Sequence, residues 1–326
     1  MKISSSLRLS SACFVILCAI LFGCQKRAAT VVIDVNQYVH HPNLEATYKG
    51  FQDVVDAWGK TKGIQIEYRL QIANGDASVA TQIARQDVAE NPNLILALAT
   101  PSAQASVKAT STIPIVFGAI TDPVAAGLVK SLTKPGGNTT GSSDVWPYEK
   151  QFELIRKLRP DARTIGIVLN PGEANTVASM KLIEPALQHY GFRKVEASVA
   201  NTSEVLAAAQ SLVGRCDVFY APADNTVLSG LDAFVKVAQK SKTPLFVGDE
   251  GSVSKGGVAT YGIDYYKLGR ATGESAVKIL EGTPPGQIPV ASGLGAKLVV
   301  NVSAAEKQGL VFPESLLKDA TVVGSR

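Results

Sequence analysis

From residue 31 onward, short runs of apolar and β-branched residues alternate with longer stretches whose apolar positions recur three or four residues apart. The run VVIDV (31–35) has the density of a strand, and Leu44, Tyr48, Phe51, Val55 and Trp58 then fall on one helical face within 43–62. IQIEYRLQ (64–71) predicts a second strand and SVATQIARQDVAEN (78–91) a second helix. LILALA (94–99) reads as a buried strand running into an alanine-rich helix, and PIVFGAI (114–120) as a strand followed by the helical pattern PVAAGLVKSL. This repeated alternation predicts a parallel sheet covered on both faces.

TKPGGNTTGSSDVWP (133–147) interrupts the rhythm with turn-forming residues and predicts a crossover between lobes. The alternation then restarts: EKQFELIRKL as helix, TIGIVL (164–169) as strand, and ASMKLIEPALQHYG as a helix kinked or divided at Pro185. KVEASVA, SEVLAAAQSLV (203–213), DVFYAP, LDAFVKVAQKS and PLFVGD (244–249) continue it as strand, helix, strand, helix and strand. GGVATYGID (256–264) leads into the helix YYKLGRATGESAVKILEG, which ends at Gly282; TPPGQIP is a second break. KLVVN (297–301) and a short helix from Ser303 close the pattern. Two similar doubly wound α/β halves with two or three crossovers predict a hinged cleft, with ligands held at the carboxyl ends of the strands.

Composition narrows the class. The 326 residues are 46% hydrophobic and 18% charged, with net charge +4, as expected of a two-domain globular protein rather than a multi-span membrane protein. No block of like charge argues for nucleic-acid binding. Lys2 and Arg8 precede an apolar stretch, Leu9 to Phe22, that is short for a membrane span. It ends in Leu21-Phe22-Gly23-Cys24, which resembles a bacterial lipobox. That resemblance implies a signal peptide over 1–23, cleavage before Cys24, and acylation of Cys24, palmitate-type chains included, with 24–30 as the tether. Several acyl chains on one cysteine anchor stably where one is marginal. Gln25 follows Cys24 in place of the Asp that retains lipoproteins at an inner membrane. Cys13 and Cys18 would leave with the signal peptide, so Cys216 stands alone and is expected to be a small buried hydrophobe.

The strand-to-helix junctions carry hydroxyls, amides and carboxylates. Lobe one offers Tyr38 after the first strand, Asn74 and Asp76 in NGDAS, Thr100, Pro101 and Ser102 in TPSAQ, and Thr121 and Asp122 in TDP. Lobe two offers Asn170 in NPGEAN, Asp224 and Asn225 in PADNT, and Asp249 and Glu250 in GDEGSV. Each of these types also serves as a helix N-cap, so the set carries more weight than any member. Enzyme chemistry finds little support. His40 and His41 read as a solvated loop pair and His189 lies on a helix; no His-x-x-x-His pair, surviving Cys pair or Gly-x-Ser-x-Gly elbow is present. The turns NPGEAN and KPGGNTTG lack the Lys-Ser/Thr of a phosphate loop, and Asp249-Glu250 lacks a nucleophile to serve as an acid/base dyad. No catalytic residue, metal or cofactor is expected.

Seven segments, NGDASVATQIA, PNLILALATPSAQA, IPIVFGAITDPVAAGLVKSLTKPGGNTTG, EKQFELIRKLRPDARTIGIVLNPGEANT, APADNTV, GGVATYGIDYYKLGRATGESAVKILEG and FPESLL, resemble the substrate-binding lipoproteins of ABC transporters that include tryptophan- and tyrosine-type binders. The resemblance covers most of 31–318. It implies a type I periplasmic-binding-protein fold: two Rossmann-like doubly wound lobes joined by a three-crossover hinge. Lobe one is expected over 31–143 plus 263–290 and lobe two over 144–262 plus 291–326. It further implies an exported, lipid-anchored monomer facing the periplasm or cell exterior, which captures a small ligand and passes it to an ABC permease and ATPase. A ligand sensor signalling to a membrane protein is the alternative. One departure is YVHHP (38–42), where the family has an acidic residue near position 40, so His40 alters the charge at the cleft rim. The residues fit an amino acid: the helix start at Thr100 and Ser102 suits an α-carboxylate. Asp224, Asp249 and Glu250 suit an α-ammonium, and Tyr38, Trp146, Tyr220 and Tyr261 are candidates for stacking on a side chain.

Overall fold

The computed structural model describes residues 29–324. The expected lipobox and Cys24 lie outside that range. The chain opens with β1 (Thr30–Gln37), α1 (Pro42–Lys62), β2 (Gln65–Ile72), α2 (Ala77–Glu90), β3 (Leu94–Leu98), α3 (Thr100–Ala109), β4 (Ile115–Ile120) and β5 (Thr139–Ser143). These strands form one parallel sheet in the order β2-β1-β3-β4-β5. β3 is central and buried at all five positions, which is why LILAL shows no alternation.

The second lobe follows with α4 (Tyr148–Leu158), β6 (Thr164–Leu169), α5 (Ala174–His189), β7 (Arg193–Ser198), α6 (Val205–Ser211) and β8 (Val218–Tyr220). Next come α7 (Asn225–Ser229), α8 (Leu231–Ser241), β9 (Leu245–Phe246), α9 (Glu250–Ser254) and β10 (Ala259–Gly262). Its parallel sheet runs β7-β6-β8-β9. The chain then returns to lobe one as α10 (Tyr265–Leu280) and finishes with β11 (Lys297–Asn301), α11 (Val302–Lys307), α12 (Glu314–Asp319) and β12 (Thr321–Val323). β11 pairs antiparallel with β10 and parallel with β12. Val258 N–H donates to the Leu245 carbonyl, joining this small sheet to the β9 edge.

Several expectations are corrected. PVAAGLVKSL is a series of turns: the Asp122 carboxylate accepts from the Val124 and Ala125 N–H groups, and Gly127 at φ 74° turns the chain out of the first helical turn. The stretch 133–147 is not wholly a crossover, because its centre is the buried strand β5. Thr140 Oγ1 donates to the Ile288 carbonyl and Ser142 Oγ meets Thr272 Oγ1 at 2.7 Å, so hydroxyls hold this strand where hydropathy gives no signal. α5 runs unbroken through Pro185, which lies on its exposed side where water reaches the neighbouring carbonyl. α7, α12 and β12 are additional elements, each six residues or fewer. Cys216 is half-buried, its sulfur filling the space above Gly166, and burial pushes its thiol up to about 12.

Candidate ligand-binding site

Three passages of chain connect the lobes: β5 to α4, β10 to α10, and the segment after α10 that leads to β11. They are laced together at the base of the cleft. Ser142 bridges Ala291, and Asp249 bridges Ile263. Trp146 Nε1 donates to the Tyr265 hydroxyl at 2.9 Å, and that hydroxyl donates to Asp144 Oδ2 at 2.6 Å. The Trp146 ring lies so close to Gly248 that a Cβ there would fall 1.7 Å from Cε3, so only glycine fits.

Above this base sits a cavity of about 20 Å³, little more than one water requires. Lobe one supplies His41, Asn43, Leu44, Ala119 and Thr121; the crossovers supply Asp144, Trp146 and Tyr265. Lobe two supplies Asn175, Ala223, Asp224, Asn225 and Leu228. Ala119 lies at φ 59° and Ala99, at the end of β3, at φ 73°. Left-handed alanines cost about 1–2 kcal/mol each, and here they turn the last residues of β3 and β4 at the lobe-one wall.

On lobe two, two buried carboxylates organise the wall. Glu173 Oε1 accepts from the Thr226 N–H (2.9 Å) and hydroxyl (2.7 Å); Oε2 accepts from Asn225 N–H, Asn225 Nδ2 and Asn175 Nδ2. Asp224 Oδ1 caps α7 through the Val227 N–H, while Oδ2 accepts from the Asn170 N–H and the Thr176 hydroxyl. Burial and then the nearby Glu173 raise the Asp224 carboxyl above its ordinary range.

His41 closes the cavity from lobe one. It precedes α1, is 4% exposed, and its Nε2 lies 3.2 Å from Asn225 Oδ1 across the cleft. Asn225 Nδ2 donates to Glu173, which identifies Oδ1 as the acceptor and places the imidazole proton on Nε2. Burial pushes the His41 pKa down to about 4, so at neutral pH the ring is uncharged and Nδ1 carries a lone pair. The expected solvated pair is therefore corrected: His40 is exposed and pairs with Glu45, whereas His41 belongs to the cleft.

Three buried atoms on cavity-lining residues have no hydrogen-bond partner: His41 Nδ1, Asp144 Oδ1 and the Asn175 side-chain oxygen. All three are acceptors. Asp144 is pushed up to about 6 by burial, a rise opposed chiefly by the hydrogen bond from Tyr265. A lining of free acceptors suits a ligand that presents several N–H donors.

The sequence-derived candidates are distributed unevenly around this cavity. Thr121, Asp224 and Asn225 line it. Asn170 lies behind, donating through Nδ2 to Thr226 Oγ1. Tyr38 is buried, with its hydroxyl on the Gly75 carbonyl; burial, Glu173, Asp76 and Asp224 raise its pKa. Asn74 is an exposed turn residue at φ 52°, and Asp76 is exposed and caps α2 through the Ser78 and Val79 N–H groups. Asp122 holds the turns after β4. Thr100 and Pro101 open α3; Thr100 Oγ1 is buried without a partner, and Ser102 Oγ donates to Asn36 Oδ1 at 2.8 Å. Asp249 is engaged by the Ser252 N–H and hydroxyl, and Glu250 pairs with Lys297 in a separate groove of about 350 Å³. Of the aromatic candidates, Trp146 lines the cavity, Tyr220 is core and Tyr261 lies half-buried on β10. His41, Asp144, Glu173, Asn175 and Tyr265 were not among the candidates, although Glu173 and Asn175 lie in the NPGEAN junction and Asp144 directly follows the hydroxyl-rich TTGSS.

The sequence profile described as ABC transporter substrate binding protein matches residues 32–323. A tyrosine-binding protein of Clostridioides difficile (strain R20291) is 41% identical over 269 residues, covering 82% of this chain and 78% of that one. The structure of an ABC domain in complex with L-Trp from Streptococcus pneumonia has a TM-score of 0.85 at 35% identity, covering 91% of this chain and 99% of that one. The ligand-free, open structure of a substrate binding protein with adhesive properties from Clostridium difficile gives 0.65 at 38% identity, covering 92% of this chain and 100% of that one. At nearly equal identity, this chain superposes more closely on the tryptophan complex than on the open structure.

Proposed function

This chain belongs to the ABC transporter substrate binding proteins, and from that premise we propose that its cleft takes an amino acid with an aromatic side chain. It is a solute-binding protein of a transporter and not an enzyme. The observation that carries the ligand reading is the set of partnerless acceptors on His41, Asp144 and Asn175, which an α-ammonium satisfies. Buried acceptors left unmade cost about 1–3 kcal/mol each, so an ammonium that fills them favours the closed lobes. We assign the α-carboxylate to the α3 start, where the Thr100 hydroxyl is buried without a partner and the N-terminal dipole favours an anion, the Ser102 hydroxyl being held by Asn36. Trp146 and Leu228 offer apolar surface to the side chain. The tyrosine-binding relative and the tryptophan complex support an aromatic ligand.

We extend the proposal to the lobes, the anchor and the partners. Lobe limits fall at 31–143 plus 263–290 and 144–262 plus 291–326. Cleavage before Cys24 and acylation there tether a monomer outside the cytoplasm, and a permease and ATPase receive the ligand. Isothermal titration of the mature chain with L-tyrosine and L-tryptophan tests the reading. Asp144→Asn should weaken binding roughly tenfold to a hundredfold, the value of a charge-assisted hydrogen bond in a buried site. Absence of heat from every amino acid tried, with wild-type protein, defeats it.

A further inference from the structure

We propose that Tyr265 is the positioning residue for the ligand's ammonium group, holding Asp144 in the orientation that leaves one carboxylate oxygen to the cavity and tying two crossovers together as it does so. The inference rests on reading the cleft as an amino-acid site, and it adds a residue that need not touch the ligand. Its basis is the direction of a hydrogen-bond chain. An indole N–H only donates, so Trp146 occupies a lone pair of the Tyr265 hydroxyl, and the single hydroxyl proton goes to Asp144 Oδ2. Oδ1 of the same carboxylate has no partner. Trp146, Asp144 and Tyr265 are 2%, 6% and 6% exposed, so water does not compete for these bonds. Polarisation along such a chain strengthens each member.

The chain also spans the hinge. Asp144 and Trp146 belong to the β5–α4 crossover and Tyr265 begins α10 directly after the β10 crossover. An ammonium on Oδ1 holds Asp144 ionised, and the ionised carboxylate accepts from Tyr265 more strongly than the acid would, across two of the three connections, which links occupancy to lobe position. The groups around Asp144 are Tyr265 on α10, Thr121 at the end of β4, Tyr148 on α4 and Asp249 of lobe two, with His41 and Asp224 on the other cavity walls.

The test is calorimetric titration of wild type, Tyr265→Phe, Asp144→Asn and the double variant with L-tryptophan and with its desamino analogue, indole-3-propionate, from pH 5 to 8. Tyr265→Phe should lose roughly tenfold in affinity for L-tryptophan, the value of one hydrogen bond to a charged group. It should lose little for indole-3-propionate, and nothing further when Asp144 is already Asn. Because the phenol lowers the Asp144 pKa, its removal should move the pH at which L-tryptophan affinity falls upward from about 6. Equal losses for both probes, additive losses in the double variant, or an unmoved midpoint overturn the inference and leave the amino-acid reading standing. Failure of wild type to bind L-tryptophan or L-tyrosine removes both. Should Tyr265→Phe not fold, the ring carbon bearing the Tyr265 hydroxyl, followed by NMR in wild type, should titrate near pH 6 and shift on adding L-tryptophan; no response overturns the inference.

Discussion

Away from the cleft, Asp34 on β1 and Asp87 on α2 are each 1% exposed, and both oxygens of Asp34 and one of Asp87 have no partner. Burial pushes Asp34 up to about 6, against the pull of Arg69 at 3.9 Å; burial and then Asp34 push Asp87 up to about 7. A carboxyl whose folded pKa exceeds its unfolded value stabilises the fold below the unfolded pKa, and that stability is lost as pH rises through the folded value. Stability should thus decline between about pH 4 and 7 on account of this pair. Asp87→Asn should flatten the decline and raise the Tm at pH 8 by roughly 2–4 °C, the shift expected of about 1 kcal/mol in a chain of this size. Superimposable curves of Tm against pH for variant and wild type would show that the pair does not titrate as argued. Nothing in the local sequence identifies this pair, because the two residues lie on different elements and meet only through the sheet. The same holds for Glu173, whose partners Asn225 and Thr226 lie over fifty positions away.

At the scale of elements, α1 and α10 pack with almost no separation. A Cβ on Gly50 would lie 2.1 Å from the Tyr266 carbonyl, and one on Gly269 2.0 Å from that of Thr47. Gly269 is therefore retained inside a helix despite costing about 1 kcal/mol in propensity. Gly269→Ala should push the helices apart and destabilise the chain by roughly 1–3 kcal/mol, read as a lower urea midpoint at unchanged m. A higher midpoint would mean that the helix propensity gained exceeds the strain. The helices themselves were legible from apolar spacing; their intimacy was not, since glycine in a helical pattern reads only as a weak point. β5 was hidden for the opposite reason. Its residues TTGSS look like a linker, and they form a strand because their hydroxyls bond to the returning segment and to α10.

For the molecule as a whole, the cavity is far too small for an amino acid, so a ligand seated there as proposed would enter only with the lobes parted. Binding confined to the native state adds about 2.7 kcal/mol of stability at a hundredfold excess over Kd. L-Tryptophan should raise the Tm accordingly and reduce the radius of gyration in small-angle scattering; an unchanged radius with a raised Tm would place binding elsewhere than between the lobes. The sequence by itself determined the alternation of strands and helices, the two lobes and the family, because each rests on local periodicity or on contiguous motifs. Only the tertiary structure decided which polar groups form the site. Caps and ligand contacts use the same residue types, and a group is free for a ligand only when no distant partner claims it. Asp249 is taken by its own helix start, whereas His41 meets Asn225 across 184 positions and Asp144 meets Tyr265 across 121.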